Sequence, residues 1–278
     1  MHSDVVDLRE FYLSPLGHAV RRVLRDKLRV IWPNMRGEQV LALGYAVPLL
    51  RPFLGEAASL HAFMPAEQGV AYWPREGPNV SCLVETKNLP LHDNSIDRLI
   101  LMHAIEGEHD PHALFSETWR VLKPNGRMLV IVTNRRGLWT HSDGTPFGTG
   151  QPYSGFQIKD SLRAHGFLVD RQWNALYLPP TQSRLMLSMA DGLEKYGPRL
   201  FPGFGGLLLI EAGKQLYAPP LEKARFSSRR LVLPLPSPVT GSPVPANRAY
   251  LQKDTFEPLS FLMRSCGWFR RSSVEHIK

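Results

Sequence analysis

Cysteine is nearly absent: two residues, Cys82 and Cys266, occur in 278. That excludes a disulfide framework and a cysteine-based metal cluster, and it points to a reducing compartment. No apolar run approaches the roughly 20 residues that cross a bilayer. The opening MHSDVVDLREFY is acidic and mixed, unlike a signal peptide. A soluble cytoplasmic protein is expected. No internal repeat is found. Charge is the one strong bias, at +8, but it is unevenly spread. Residues 1–218 hold 23 Lys and Arg against 21 Asp and Glu, whereas residues 219–278 hold 10 against 4. The excess belongs to the C-terminal stretch, so no specific nucleic-acid partner is expected.

The length suffices for one large core with appendages. Residues 1–37 read as a helical cap. Ser14-Pro15 is a helix start, and in LGHAVRRVLRDKLRVIW the residues Leu16, Val20, Val23, Leu24, Leu28 and Ile31 form one stripe. Arg21, Arg22, Arg25 and Arg29 lie off that stripe, a solvated basic face that also suits peripheral contact with an anionic membrane. Residues 219–278, with eight prolines and the run PLPSPVTGSPVP, read as a basic, disordered tail able to make similar contacts.

The central stretch, 83–133, reads as strand, turn, helix, turn, strand. Arg98 to His103 is an almost unbroken apolar run of buried-strand length. Asp110-Pro111 supplies a capping acceptor and a proline suited to a first helical position. Leu114, Phe115, Thr118, Trp119 and Leu122 then share one face. Lys123-Pro-Asn-Gly126 ends that helix, and Arg127 to Thr133 is the next buried strand, completing a right-handed crossover.

Four pieces of this region, in order and spacing, are similar to class I S-adenosylmethionine-dependent methyltransferases, nearest to the branch of the ubiquinone and menaquinone biosynthesis enzymes. They are Glu85, Leu89-Pro90, the turn Asp93 to Asp97, and Arg120 to Gly126. The resemblance covers about residues 38–218. It implies an α/β fold: a Rossmann-like, seven-stranded, mostly parallel sheet with helices on both faces, the last strand inserted antiparallel beside the fifth. It implies S-adenosylmethionine as cofactor and methyl transfer to a small-molecule or lipid-like acceptor.

The family's glycine loop reads Asp-x-Gly-x-Gly-x-Gly. Here Ala42, Gly44, Ala46 and Pro48 occupy those positions. The second strand, expected over 57–63, lacks the acid that accepts from the ribose hydroxyls, leaving Glu67 or Gln68 as substitutes. The resemblance assigns the cofactor to Gly44, Tyr45, Ala46, Glu85, Thr86, Leu101 and Met102. If Ala46 and Pro48 fill that space, or if no pocket reaches Glu85, only the architecture survives. Lost glycines and a lost acid also describe an inactive binding or scaffolding protein on the same fold.

His103 and Glu106 follow the fourth strand, where open α/β sheets place their chemistry, and are the expected catalytic base or substrate orienter. A metal site could be drawn through His103, Glu106, His109 and His112, but these straddle a turn and no metal is expected. The long segment 134–153 is too rich in aromatics for disorder and reads as a substrate lid. Arg135 and Arg136 are available for an anionic or carbonyl-bearing group of the substrate, Trp139, Phe147 and Tyr153 form apolar walls, and His141 is a further candidate substrate residue. Base-methylating signatures such as Asn-Pro-Pro-aromatic are absent, which argues against a nucleic-acid methyltransferase. Helices at 154–166 and 183–196 and strands at 168–178 and from 207 onward complete the reading.

Overall fold

Ser14 divides the N-terminal helical stretch in two: its hydroxyl accepts from the Gly17 amide while Pro15 opens the second helix. The helices are α1, Val5–Leu13, and α2, Pro15–Ile31. The corner is tight enough that a Cβ on Gly17 would lie 1.9 Å from the Phe11 carbonyl oxygen. The computed structural model describes residues 4–214. The expected tail at 219–278 lies outside the described residues.

Seven strands form one sheet in the order β3-β2-β1-β4-β5-β7-β6. They are β1 Gln39–Gly44, β2 Ser59–Pro65, β3 Ser81–Val84, β4 Ile96–Met102, β5 Leu122–Thr133, β6 Phe167–Ala175 and β7 Leu207–Lys214. The first five are parallel, and β7 runs antiparallel to both β5 and β6. The expected Rossmann-like sheet is therefore present. One face packs on α1, α2 and the C-terminal helices α6, Arg184–Ser188, and α7, Ala190–Leu200; the other packs on α4, Pro111–Val121, and α5, Gly155–Ala164. Each face buries its own apolar cluster, the dominant stabilising term for such a sheet.

Capping signals place the helices as the local sequence dictates. Asp110 accepts from the Ala113 amide ahead of Pro111, and Ser154 with Gln157 closes a full capping box on α5. Only one expected helix is divided, into α6 and α7 at Met189.

Two motif residues of the central stretch, Arg120 and Asp97, are structural joints. Arg120 donates to the Leu89 and Leu91 carbonyls and pairs with Asp93 and Glu117, tying the Leu89-Pro90 turn to α4. Asp97 accepts from the Gln39 amide at 2.9 Å and from Lys123 at 2.7 Å, locking the entries of β1, β4 and β5 together.

The β1–β2 crossover is unusually short. It holds one helical turn, α3 at Val47–Leu50, followed by a 3-10 turn at Arg51–Phe53. Pro48 and Pro52 lie within these two turns, where proline is tolerated at a helix start but opposes a longer run. A single turn offers no extended dipole to an anionic group.

Candidate active site

Gly44 ends β1 with φ +87°, beside Met102 of β4. A Cβ there would sit 2.2 Å from the Met102 carbonyl oxygen, so the position requires glycine on both counts. Tyr45 and Ala46 follow, both buried.

One residue past β4, His103 holds a left-handed backbone, φ +54°, which is uncommon for a side chain of this size. Two contacts over-determine it. Gln68, just past β2, donates from Nε2 to the His103 carbonyl oxygen at 2.9 Å, and the Tyr12 hydroxyl of α1 meets His103 Nε2 at 2.9 Å. The Tyr12 ring stacks on Tyr45, and the Phe147 ring lies 4.8 Å, centre to centre, from the imidazole. Burial lowers the His103 pKa to about 3, so the imidazole is neutral at physiological pH.

Glu106 is the second titratable group of this edge. The Thr133 amide, at the end of β5, donates to its Oε1 at 3.2 Å. Burial outweighs that and neighbouring amide contacts and raises its pKa to about 7. Burial raises the Tyr12 and Tyr153 phenols; Tyr45 pushes Tyr12 further, and the nearby Glu106 carboxylate adds to both. Among the described residues, Gln68 Oε1, Glu106 Oε2 and Thr133 Oγ1 at the carboxyl edge are buried without a hydrogen-bond partner.

His103 and Glu106 are thus brought to one edge with Gly44, Tyr45, Ala46, Leu101 and Met102, the last two buried at the end of β4. Glu85 is exposed, and the Thr86 hydroxyl is engaged by Glu108 at 2.6 Å. In the segment after β5, Phe147 joins the site and Tyr153 is half-buried beside it. Trp139 is instead a core residue, its indole donating to the Leu178 carbonyl oxygen at 2.7 Å. Arg135, Arg136 and His141 are exposed. Tyr12 escaped sequence reasoning. Its signal is the Phe11-Tyr12 aromatic pair in the mixed first helix VVDLREFYL.

Lined in part by the stacked Tyr12 and Tyr45 rings, a cavity of about 680 Å³ opens between α1, α2, α3 and the segment 70–76. It reaches Tyr45, Val47 and Pro48 but neither Glu85 nor Met102. Among the described residues, no group of three His, Cys, Asp or Glu is placed to hold a metal ion, and no helix is long and apolar enough to cross a membrane.

A family model described as a methyltransferase domain matches residues 46–130. No curated protein sequence matches the chain. Among solved structures, it is similar to a SAM-dependent methyltransferase, a possible histamine N-methyltransferase, from Thermotoga maritima. That match has 15% identity and TM-score 0.53, over 76% of this chain and 96% of the other. A complex of the Haloferax volcanii Trm112 methyltransferase activator with a putative methyltransferase matches with 20% identity and TM-score 0.51, over 73% and 94%. A SAM-dependent methyltransferase from Mesorhizobium loti matches with 14% identity and TM-score 0.51, over 68% and 96%. At such identities the likeness is one of fold.

Proposed function

Taking as premise that residues 46–130 form a methyltransferase domain within a class I fold, we propose that the chain transfers a methyl group to a small-molecule or lipid-like acceptor. S-adenosylmethionine is the cofactor that this family and fold imply. The observation that carries the reading is the set of unpartnered buried acceptors at the carboxyl edge. Gln68 Oε1 stands just past β2, where the missing acid would accept from the ribose hydroxyls. A carboxamide oxygen accepts the same donors more weakly. Glu106 Oε2 and Thr133 Oγ1 offer further acceptors for hydroxyl or ammonium donors. In its polar groups, then, the edge fits an adenosyl amino acid.

The cofactor supplies a methyl group already activated on a sulfonium, so the protein's share is alignment, water exclusion and proton management. Phe147, Tyr12 and Tyr45 wall the edge with rings. A carboxyl near pKa 7 is suited to take a proton from an acceptor at physiological pH. His103, neutral and fixed by Tyr12 and Gln68, orients rather than ionises.

A second reading has its own support. The Gln68 to His103 hydrogen bond closes the edge with the chain's own groups, and the 680 Å³ cavity stops short of Glu85. Both favour a binding protein that keeps the fold without the chemistry. Calorimetric titration with S-adenosylmethionine and S-adenosylhomocysteine separates the two. Saturable micromolar binding, weakened about ten- to a hundredfold in Gln68→Ala, supports the enzyme. Absence of heat and of any thermal shift at millimolar ligand leaves the binding protein.

A further inference from the structure

The cavity shares the Tyr12 and Tyr45 rings with the His103 edge, and the rest of its lining is chemically one-sided. Arg9 of α1, Arg21 and Arg25 of α2, Arg51 after α3, and Arg75 all face it, against a single acid, Glu76. Glu76 is already paired with Arg51 at 3.3 Å. Arg25 is half-buried and donates from Nε to the Pro48 carbonyl oxygen at 2.7 Å. Its guanidinium is held below the usual arginine range first by burial and then by the like charges of Arg21 and Arg51, which are close enough to repel it. Arg9, Arg21 and Arg75 have no acidic or hydrogen-bonding partner among the described residues. Half-buried Arg25 and Arg21, with exposed Arg51 close enough to repel Arg25, are an unbalanced cluster of like charge, and an anion restores the balance through charge-assisted, bidentate hydrogen bonds.

The mouth has the opposite character. Val6, Leu13, Leu54, Val70 and Tyr72 line the same cavity and are each more than a third exposed. Exposed apolar groups that rim a charged pocket mark a binding site rather than ordinary surface. A volume of about 680 Å³ lies within the roughly 300–1,000 Å³ of small-molecule sites.

We propose that this cavity binds an anionic amphiphile, a phosphate ester whose headgroup is held by Arg9, Arg21, Arg25 and Arg51 and whose apolar chain lies along the Val6, Leu13 and Tyr72 rim. No arginine of the set bonds to His103 or Glu106, so the headgroup site is tested by anion binding alone, whether or not the His103 edge transfers a methyl group. A free phosphate ester and the headgroup of a membrane lipid share this chemistry.

The test uses the full chain and dodecyl phosphate below its micellar concentration, followed by calorimetry. One saturable site is expected, with affinity falling tenfold or more in Arg21→Gln/Arg51→Gln, the loss of one or two charge-assisted bonds. Arg9→Gln, at an exposed position, reads the same site with no demand on folding and is expected to weaken binding several-fold. Sedimentation with vesicles of phosphatidylglycerol or phosphatidylcholine distinguishes the sources. Arginine-dependent pelleting with phosphatidylglycerol alone assigns the lipid headgroup, and binding without pelleting assigns the free ester. Equal affinity for dodecyl maltoside, or an affinity unchanged in both variants, would overturn the proposal.

Discussion

The Tyr12 hydroxyl and His103 Nε2 lie 2.9 Å apart in a buried contact that joins residues 91 positions apart. It ties the N-terminal helix to the carboxyl end of β4, so the cap is part of the candidate site rather than a cover laid over it. Tyr12→Phe keeps the ring stack on Tyr45 but leaves the imidazole nitrogen buried and unpaired. The expected cost is about 1–3 kcal/mol, read as a lower urea midpoint with unchanged slope. A midpoint equal to wild type would mean that the contact contributes nothing net.

His103 and Glu106 give stability opposite pH dependences. His103 is lowered from 6.5 to about 3 by burial, so the unfolded chain gains a proton below pH 6.5 that the folded chain refuses. That contribution is present above pH 6.5 and is lost as pH falls toward 3. Glu106 is raised from 4.5 to about 7, so the folded chain keeps a proton that the unfolded chain releases. Its contribution is present below pH 4.5 and is lost as pH rises through 7. Between 4.5 and 6.5 the two slopes oppose each other. Glu106→Gln removes one of them, and the melting temperature of the variant minus that of wild type is expected to increase from pH 5 to 7. A difference flat with pH would place the Glu106 carboxyl at its ordinary value.

Gly44→Ala is expected to destabilise by at least about 2 kcal/mol or to prevent folding. Both the +87° φ and the 2.2 Å approach to the Met102 carbonyl oxygen exclude a Cβ. Thermal unfolding followed by circular dichroism measures it. A wild-type transition would show that β1 and β4 can part at this point.

Lys214, buried at the end of β7, donates to Asn94 Oδ1 at 2.7 Å and to the Trp119 and Leu122 carbonyl oxygens at 2.8 Å. Lys214→Met keeps the stem and strands those three acceptors, at a cost on the order of 3 kcal/mol. Denaturant titration at neutral pH checks it, and a loss below about 0.5 kcal/mol would mean that the site rehydrates.

Much of the fold was legible because its signals are local. The apolar run at 98–103, the proline behind Asp110, and the Ser154 and Gln157 pair each specify an element from within a few residues. Even the resemblance motifs work over short range, since Arg120 and Asp97 act as joints between neighbouring elements. The segment after β5 was less legible. Its aromatic content was evident, yet composition does not tell a core indole from a site wall; burial and the bond to the Leu178 carbonyl assign Trp139 to the core.

What the sequence determined by itself was the alternation of strands and helices, the faces they bury, and the thinning of the glycine loop, because periodicity and capping are written residue by residue. The tertiary structure alone decided that Tyr12 would reach His103, that Gln68 would close over it, and that arginines from two helices and a short crossover would converge on one cavity. Those meetings depend on how whole elements pack, and packing sums contributions from the entire core, which no single stretch of the chain encodes.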